Sequence, residues 1–456
     1  MERKWRALLI VCVAIFMLLL DITIVNVALP SIQRDLRTSF TDLQWVVDAY
    51  ALLLATSVLN AGTLGDWLGR KRVFIGGVAL FTLASALCGS ATTPLFLNLA
   101  RGLQGIGGAV MFAVSLAILS QEFHGRERGT AFGIWGATIG LAVAIGPLAG
   151  GVLTEYAGWR WIFFVNVPIG IACIFGAMAY LHESRDDQHH GFDVLGFAFL
   201  TAGLFALVLG LLRGESWGWA SGRTIGLFVA AAVLLPAFFV SQLRRPTPTL
   251  DVRLFRNPTF TAAQVIAFTI SSGMFAQFLY LTLYLQDGLK LSPLQTGLRF
   301  LPLSLLSFVA APISGRLSSR IPIRFLFAIG MSFVGASLLL MHGVTHSSHW
   351  TALLAGFIAG GIGIGLVNAP LAVTAVGVVE PRRAGMASGT NNTFRQIGIA
   401  TGVAALGAIY QSHHDPIDGL NAILLVGAFV AFAGAVVGLV LVRPQDFVRA
   451  PQPDAA

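Results

Sequence analysis

The chain has 456 residues, 56% of them hydrophobic and only 11% charged, with a net charge of +8. A soluble domain needs roughly 25% charged residues to wet its surface, so this composition excludes a water-solvated globule and requires lipid as solvent. The positive excess does not point to nucleic acid, because the basic residues lie in short loops between apolar runs rather than in a patch interleaved with aromatics.

In chain order, the basic segment Met1–Arg6 precedes an apolar run that continues to Leu29, broken only by Asp21 and Asn26. No small-x-small cleavage site follows it, so it is expected to be an uncleaved first span. Further apolar runs lie near 45–65, 73–92, 95–119, 131–154, 161–181, 192–212, 225–243, 260–285, 296–315, 325–344, 351–376, 388–410 and 421–442, after the first at 7–29. Each approaches the length that crosses about 30 Å of hydrocarbon at 1.5 Å per residue, which predicts an all-α membrane protein of about fourteen spans.

With the N-terminus inside, inner segments hold 20 basic residues and outer segments 7. That bias fits the positive-inside rule and predicts an even number of spans with both termini cytoplasmic. Trp45, Trp159, Trp161, Trp217, Trp219 and Trp350 fall at predicted outer ends, where an aromatic belt would sit. On this scheme Arg213 belongs to an outer segment, Asp48 near the outer end of the second span reaches toward headgroups, and Glu380 with Arg382 and Arg383 forms a solvated loop. Cys12, Cys88 and Cys173 all fall in apolar stretches and are expected to pack there, with neither metal spacing nor a disulfide framework.

Two loops repeat. Gly62-Thr-Leu-Gly-Asp66-Trp-Leu-Gly69-Arg70-Lys71-Arg72 follows the second span, and Gly315-Arg-Leu-Ser-Ser319-Arg-Ile-Pro-Ile-Arg324 follows the tenth. They occupy equivalent places in two six-helix blocks, as in transporters built from parallel repeats with the substrate path between the halves. The chain is therefore parsed as a six-helix bundle (1–185), a two-helix insert (186–248), a second six-helix bundle (249–445) and a disordered cytoplasmic tail (446–456).

At these residues the sequence resembles the major facilitator superfamily, and within it the fourteen-span drug:proton antiporter branch. Gly62–Arg72 matches the loop signature G-x-L-x-D-x-x-G-R-K/R. Leu20–Pro30, with Asp21 and Asn26, resembles the branch's first-helix signature, and Arg101-Gly-Leu-Gln104-Gly105-Ile-Gly107-Gly108 its fourth-helix signature. Gly136, Gly140, Gly146, Pro147, Gly150 and Gly151 resemble the fifth-helix antiporter signature, and Gly158–Pro168 is also typical of the branch. The second half is similar in span pattern and only loosely in motif. The resemblance implies two six-helix bundles plus the insert, a central cavity between them, and proton-coupled drug export.

Asp21 lies about 12 Å from the outer end of the first span and Arg101 about 9 Å from that of the fourth, at 1.5 Å per residue. An intramembrane charge is costly enough that it normally faces a cavity and finds a partner. Asp21 and Arg101 are thus the candidates for proton coupling, against the plainer reading of a static ion pair that fixes packing. Gly62, Asp66, Gly69, Arg70 and Lys71 are candidates for a gate at the cytoplasmic mouth: Asp66 can pair with Arg70 and face the positive N-terminus of the thirteenth helix. The plainer reading is that the basic residues only set topology. In the fifth span the GxxxG spacings and Pro147 make a close-packed, bendable helix. Asn26, Gln104, Gln264, Gln277, Asn368 and Arg395 are candidates to line the substrate cavity, with Asn391 and Asn392 nearby; the amides alternatively glue helices together.

The sequence lacks a G-x-x-x-x-G-K-[ST] phosphate loop, a dinucleotide fingerprint, H-E-x-x-H and G-x-S-x-G. His189 and His190 adjoin Asp186 and Asp187 in what is expected to be a solvated connector. Neither cofactor, metal nor enzymatic activity is expected. The partners expected are a small-molecule substrate, protons and the bilayer, with the protein a monomer in a bacterial inner membrane; the 26 Arg against 3 Lys fit a GC-rich bacterial genome. The alternatives are a dedicated exporter or importer of one metabolite or antibiotic, and a non-transporting membrane sensor or scaffold.

Overall fold

A computed structural model describes residues 2–38, 40–185, 193–245, 248, 250–318, 320–380 and 383–447, apart from the side chains of residues 26, 30, 40–42, 44, 125, 126, 143, 144, 147, 275 and 293. Among the described residues the elements are helical: α1 (Arg3–Leu36), α2 (Phe40–Leu68), α3 (Arg70–Gly89), α4 (Pro94–Glu122), α5 (Gly125–Tyr156), α6 (Trp161–Tyr180), α7 (Val194–Trp217), α8 (Gly222–Arg244), α9 (Pro258–Gly288), α10 (Pro293–Leu317), α11 (Ile323–Met341), α12 (Trp350–Gly377), α13 (Ala384–Gln411) and α14 (Pro416–Leu441). Twelve are long and apolar enough to cross a membrane. The other two are α5 and α13, 32 and 28 residues long. α13 carries Asn391, Asn392, Arg395 and Gln396 through its length, and α5 includes side chains outside the described set.

Helices start where the sequence supplies caps. Thr93, Asn257, Ser292 and Asp415 each accept a backbone N–H of the first turn, and each is followed by a proline at the start of the helix. Several helices overrun their apolar runs. α1 continues to Leu36, where Asp35 accepts bonds from Trp159 Nε1 at 3.0 Å and Arg160 Nη1 at 2.5 Å; hydropathy finds the lipid-matched stretch, not the helix end.

The first bundle, α1 to α6, and the second, α9 to α14, each enclose an apolar core. Outward faces carry exposed Leu95, Leu99, Leu305, Val309, Phe429 and Val440, a surface only lipid would cover. One end of the molecule is basic, with Lys4 paired to Glu127, Arg3 bonded to the Tyr180 carbonyl and Lys71 to that of Met178. The opposite end carries Trp159, Trp161, Trp217, Trp219 and Trp350.

Two expectations are corrected here. Arg213 is not in an outer segment: it lies within α7, 1% exposed, and pairs at 3.0 Å with Asp48 of α2 while stacking over the Trp45 ring. Asp48 therefore reaches a neighbouring helix, not headgroups; the hydropathy run ends one residue short because it cannot see the partner. Thr259 donates to Asp446 at 2.6 Å, and Phe447 packs on the second core; residues 448–456, and 186–192 with His189 and His190, lie outside the described residues.

The insert is not peripheral. α7 contributes Leu200 and Leu204 to one cluster with Leu59 of α2 and Met386 of α13, and Val208 and Leu209 to another with Leu52 and Ala400. It thus lies along the line where α2 of the first bundle meets α13 of the second.

Candidate functional site

Asp21 sits inside the first bundle at 0% exposure, and Arg101 at 1%. Arg101 Nη1 donates to Asp21 Oδ2 at 2.5 Å and to Gln104 Oε1 at 2.7 Å, while Gln104 Nε2 donates back to Asp21 Oδ1 at 2.9 Å. Asn166 of α6 adds a bond to the same Oδ1 at 3.2 Å and another to Ser85 of α3 at 3.1 Å. Arg101 Nε is satisfied by the Val46 carbonyl at 3.0 Å, and its guanidinium lies 4.3 Å from the centre of the Tyr50 ring. Five helices thus contribute to one cluster around this carboxylate, with α4 and α6 bonding it directly. Such a pair is held together only because its remaining hydrogen-bonding capacity is met. Gln104, a cavity candidate from the sequence, belongs to this cluster. Asn166 and Ser85 escape sequence reading because single polar residues in apolar spans are ordinary; Asn166 lies in the Gly158–Pro168 stretch and was visible there without a role.

At the basic end, Asp66 Oδ1 receives Arg70 Nε at 2.9 Å and Nη2 at 2.7 Å. The same carboxylate accepts the backbone N–H groups of Gly385 at 3.1 Å and Met386 at 2.8 Å, in the first turn of α13. An anion there meets both the unpaired amides and the positive end of the helix dipole. Gly62 and Gly385 cross so closely that a Cβ on either would overlap the other's carbonyl. Gly69 adopts φ +108°, and a Cβ there would meet the Glu183 carboxylate at 2.6 Å. Glu183 in turn accepts the N–H groups of Lys71 and Arg72 at 3.1 and 3.3 Å, an anionic cap for α3. Lys71 bonds within its own bundle, whereas Gly62 and Asp66 touch the second one.

The second seam is formed by α5 and α10. Gly129 and Gly315 meet backbone to backbone, and a Cβ on Gly133 would lie 2.7 Å from Pro312 Cα. The glycines of α5 divide between two partners. Gly146 and Gly150 lie against Thr23 and Ile24 of α1, whereas Gly136 and Gly140 face Asn368 of α12 and Ser307 of α10. A Cβ on Gly151 meets nothing within 4 Å. The Pro147 and Asn26 side chains lie outside the described residues.

A small cavity lies between the halves near the middle of these helices, lined by Gly140, Phe278, Ser304, Ser307, Ile364 and Asn368, among others. Arg395 Nη2 donates to Asn368 Oδ1 at 3.1 Å from behind it. Pro370, two residues on, leaves the Leu366 carbonyl without its helical amide, and the Ser314 hydroxyl takes that place at 2.8 Å. Gln264 bonds the Phe260 carbonyl and Asn391, and Gln277 bonds the Ile423 carbonyl, so both tie helices within the second bundle. Asn392 reaches the Phe112 carbonyl of α4 at 3.4 Å and joins the halves.

A family model described as Major Facilitator Superfamily matches residues 11–403. The chain is 34% identical over 411 residues to a tetracenomycin C resistance and export protein of Streptomyces glaucescens, covering 90% of this chain and 76% of that one. It is 36% identical over 396 residues to the multidrug resistance protein Stp of Mycobacterium tuberculosis, with 87% and 74% covered. Against the multidrug transporter protein MdtP of Bacillus subtilis it is 31% identical over 462 residues, with 100% and 85% covered. The crystal structure of the human organic anion transporter MFSD10 superposes on 96% of the chain with a TM-score of 0.72 at 15% identity, which bears on the fold alone.

Proposed function

The chain belongs to the Major Facilitator Superfamily of membrane transporters, and we propose that it exports small amphipathic compounds, antibiotics and other drugs among them, in exchange for protons. The names of its relatives support the cargo class. The observation that carries the coupling is the Asp21 carboxylate, held fully buried by Arg101, Gln104 and Asn166. A charge in a lipid-embedded bundle is kept, against its cost, where a proton or ion must pass.

A proton on Asp21 would weaken its bond to Arg101 and let α1 shift against α4. Thr23 and Ile24 of α1 lie on Gly146 and Gly150 of α5, whose next glycine, Gly140, borders the cavity between the halves. That chain of contacts would carry the change from the proton site to the cargo. With α5 and α13 counted as spans, the protein fits the fourteen-span drug:proton antiporter branch, in a bacterial inner membrane with its basic end and both termini in the cytoplasm. Gly62, Asp66, Gly69, Arg70 and Lys71 then form the cytoplasmic gate, closed in this state by the bonds of Asp66 to α13.

Cells with and without the protein, loaded with a panel of dyes and antibiotics, test this reading. Lower accumulation with the protein, abolished by a protonophore, is expected. Equal accumulation across the panel would reject export; protection against one compound alone would favour a dedicated exporter, as the tetracenomycin relative is named.

A further inference from the structure

The cavity between the halves contains buried polar groups that none of the described residues satisfies. Asn368, 1% exposed, uses its Oδ1 for Arg395, and its Nδ2 has no partner. Ser304 and Ser307, 2% and 1% exposed, likewise have unpartnered hydroxyls. All three residues line the same space, opposite Gly140 of the first bundle and beside the Phe278 ring. Buried polar atoms are nearly always paired, and each orphan demands a reason. Here three belong to residues lining one cavity at the junction of the halves.

The chemistry of the three sets the ligand. A guanidinium can only donate, so Arg395 fixes the amide of Asn368 with its carbonyl toward α13 and its NH2 toward the cavity. The two hydroxyls add further donors, one helical turn apart on α10. Apart from these groups the lining is apolar. The positive charge of Arg395 behind Asn368 disfavours a cation there. In this state there is room for about one water molecule, and Gly140 keeps that room: a Cβ there would lie 3.2 Å from Ser307 Oγ.

We propose that Asn368, Ser304 and Ser307 form a donor site that binds the carbonyl oxygens of an apolar aromatic substrate, beside the Phe278 ring, when the halves part, with water in its place when they close. This rests on the export reading and adds the substrate class to it. Because the hydroxyls make no internal bonds, Ser304→Ala with Ser307→Ala removes the donors without breaking the fold.

The experiment measures efflux of 2-aminoanthraquinone, 2-aminoanthracene and ethidium from cells carrying the wild-type protein or the double alanine variant. The first two share a ring frame and differ in two carbonyl oxygens; comparing them within one variant cancels differences in expression. Wild type should export the quinone, and the variant should lose about tenfold in its rate while aminoanthracene and ethidium change by less than about twofold, as expected for a lost hydrogen bond to the substrate. Equal loss for all three overturns the site in favour of a packing role, and no change for the quinone leaves the cavity a structural water site only. Wild-type export of ethidium without the quinone overturns the substrate class alone. Export of none of the three overturns the export reading and the site with it.

Discussion

Gly62 of α2 and Gly385 of α13 pass each other with no room for a methyl group on either, and the carboxylate that joins the same two helices, Asp66, lies one turn away. Close approach and charge act together at this crossing, because only bare backbones let the Asp66 side chain reach the first amides of α13. Gly385→Ala would press its Cβ on both Asp66 and the Gly62 carbonyl. Overpacking of this kind costs about 1–3 kcal/mol and falls on the closed state alone. The expected result is a basic end that opens more readily. Maleimide labelling of a cysteine placed at Val58, fully buried one turn before Gly62 and with its carbonyl against Gly389 of α13, should rise severalfold, and unchanged labelling would show that the crossing does not limit closure.

Asp66→Ala removes the carboxylate from between Arg70 and α13, both buried. Breaking a buried pair from one side costs about 3–5 kcal/mol. The purified variant should lose its monodisperse state on heating at a distinctly lower temperature than wild type. Asp66→Asn, which can still accept from α13, should fall between the two.

Asp21→Asn keeps the shape of the cluster but not its charge. If Asp21 takes the transported proton, liposomes containing the variant should retain exchange of labelled for unlabelled substrate while losing uptake driven by a pH gradient. A variant that still accumulates substrate on a pH gradient at the wild-type rate would reduce the pair to a packing device.

The glycines of α5 should not be equivalent. Gly146→Ala sets a Cβ against Thr23 and should destabilise by about 1–3 kcal/mol. Gly151→Ala meets open space and should stay within about 0.5 kcal/mol of wild type. Thermal stability of the two variants side by side checks this, and equal effects would remove the helix-specific account.

Asp48 and Arg213 join the insert to the first bundle. Each neutral variant should destabilise the protein, and the exchanged pair Asp48→Arg with Arg213→Asp should recover part of the loss, with a coupling of about 0.5–3 kcal/mol. Since Asp48 is partly exposed, the lower part of that range is expected. Simple addition of the two single effects would mean that the pair is incidental.

The bundles themselves were readable as apolar runs, and the loop repeat divides them, because lipid imposes length and hydropathy on every span. Asp21 and Arg101 stood out because charges are rare in such runs. Their surroundings did not: Asn166, Ser85 and the Val46 carbonyl come from three other helices, and no local pattern marks convergence in space. Ser304 and Ser307 were silent because serine in a membrane helix usually bonds its own backbone; only the absence of such bonds singles them out. Gln264 and Gln277 looked like cavity residues by the same cost argument that picked Asn368, yet they face neighbours in their own bundle. Hydropathy gives the depth of a polar group but not its azimuth.

α7 is bonded to the first bundle inside the membrane by Asn60 to Thr201 at 2.8 Å and by Asp48 to Arg213, whereas it meets α13 through apolar Ala400 and Met386 and, at its end, through Glu215 on Gln411. A rocking motion would carry such a helix with the half that grips it and let it glide over the other. α8 packs on α7 and would follow. The working division of the molecule would then be eight helices against six, rather than two equal six-helix bodies with a passive insert between them.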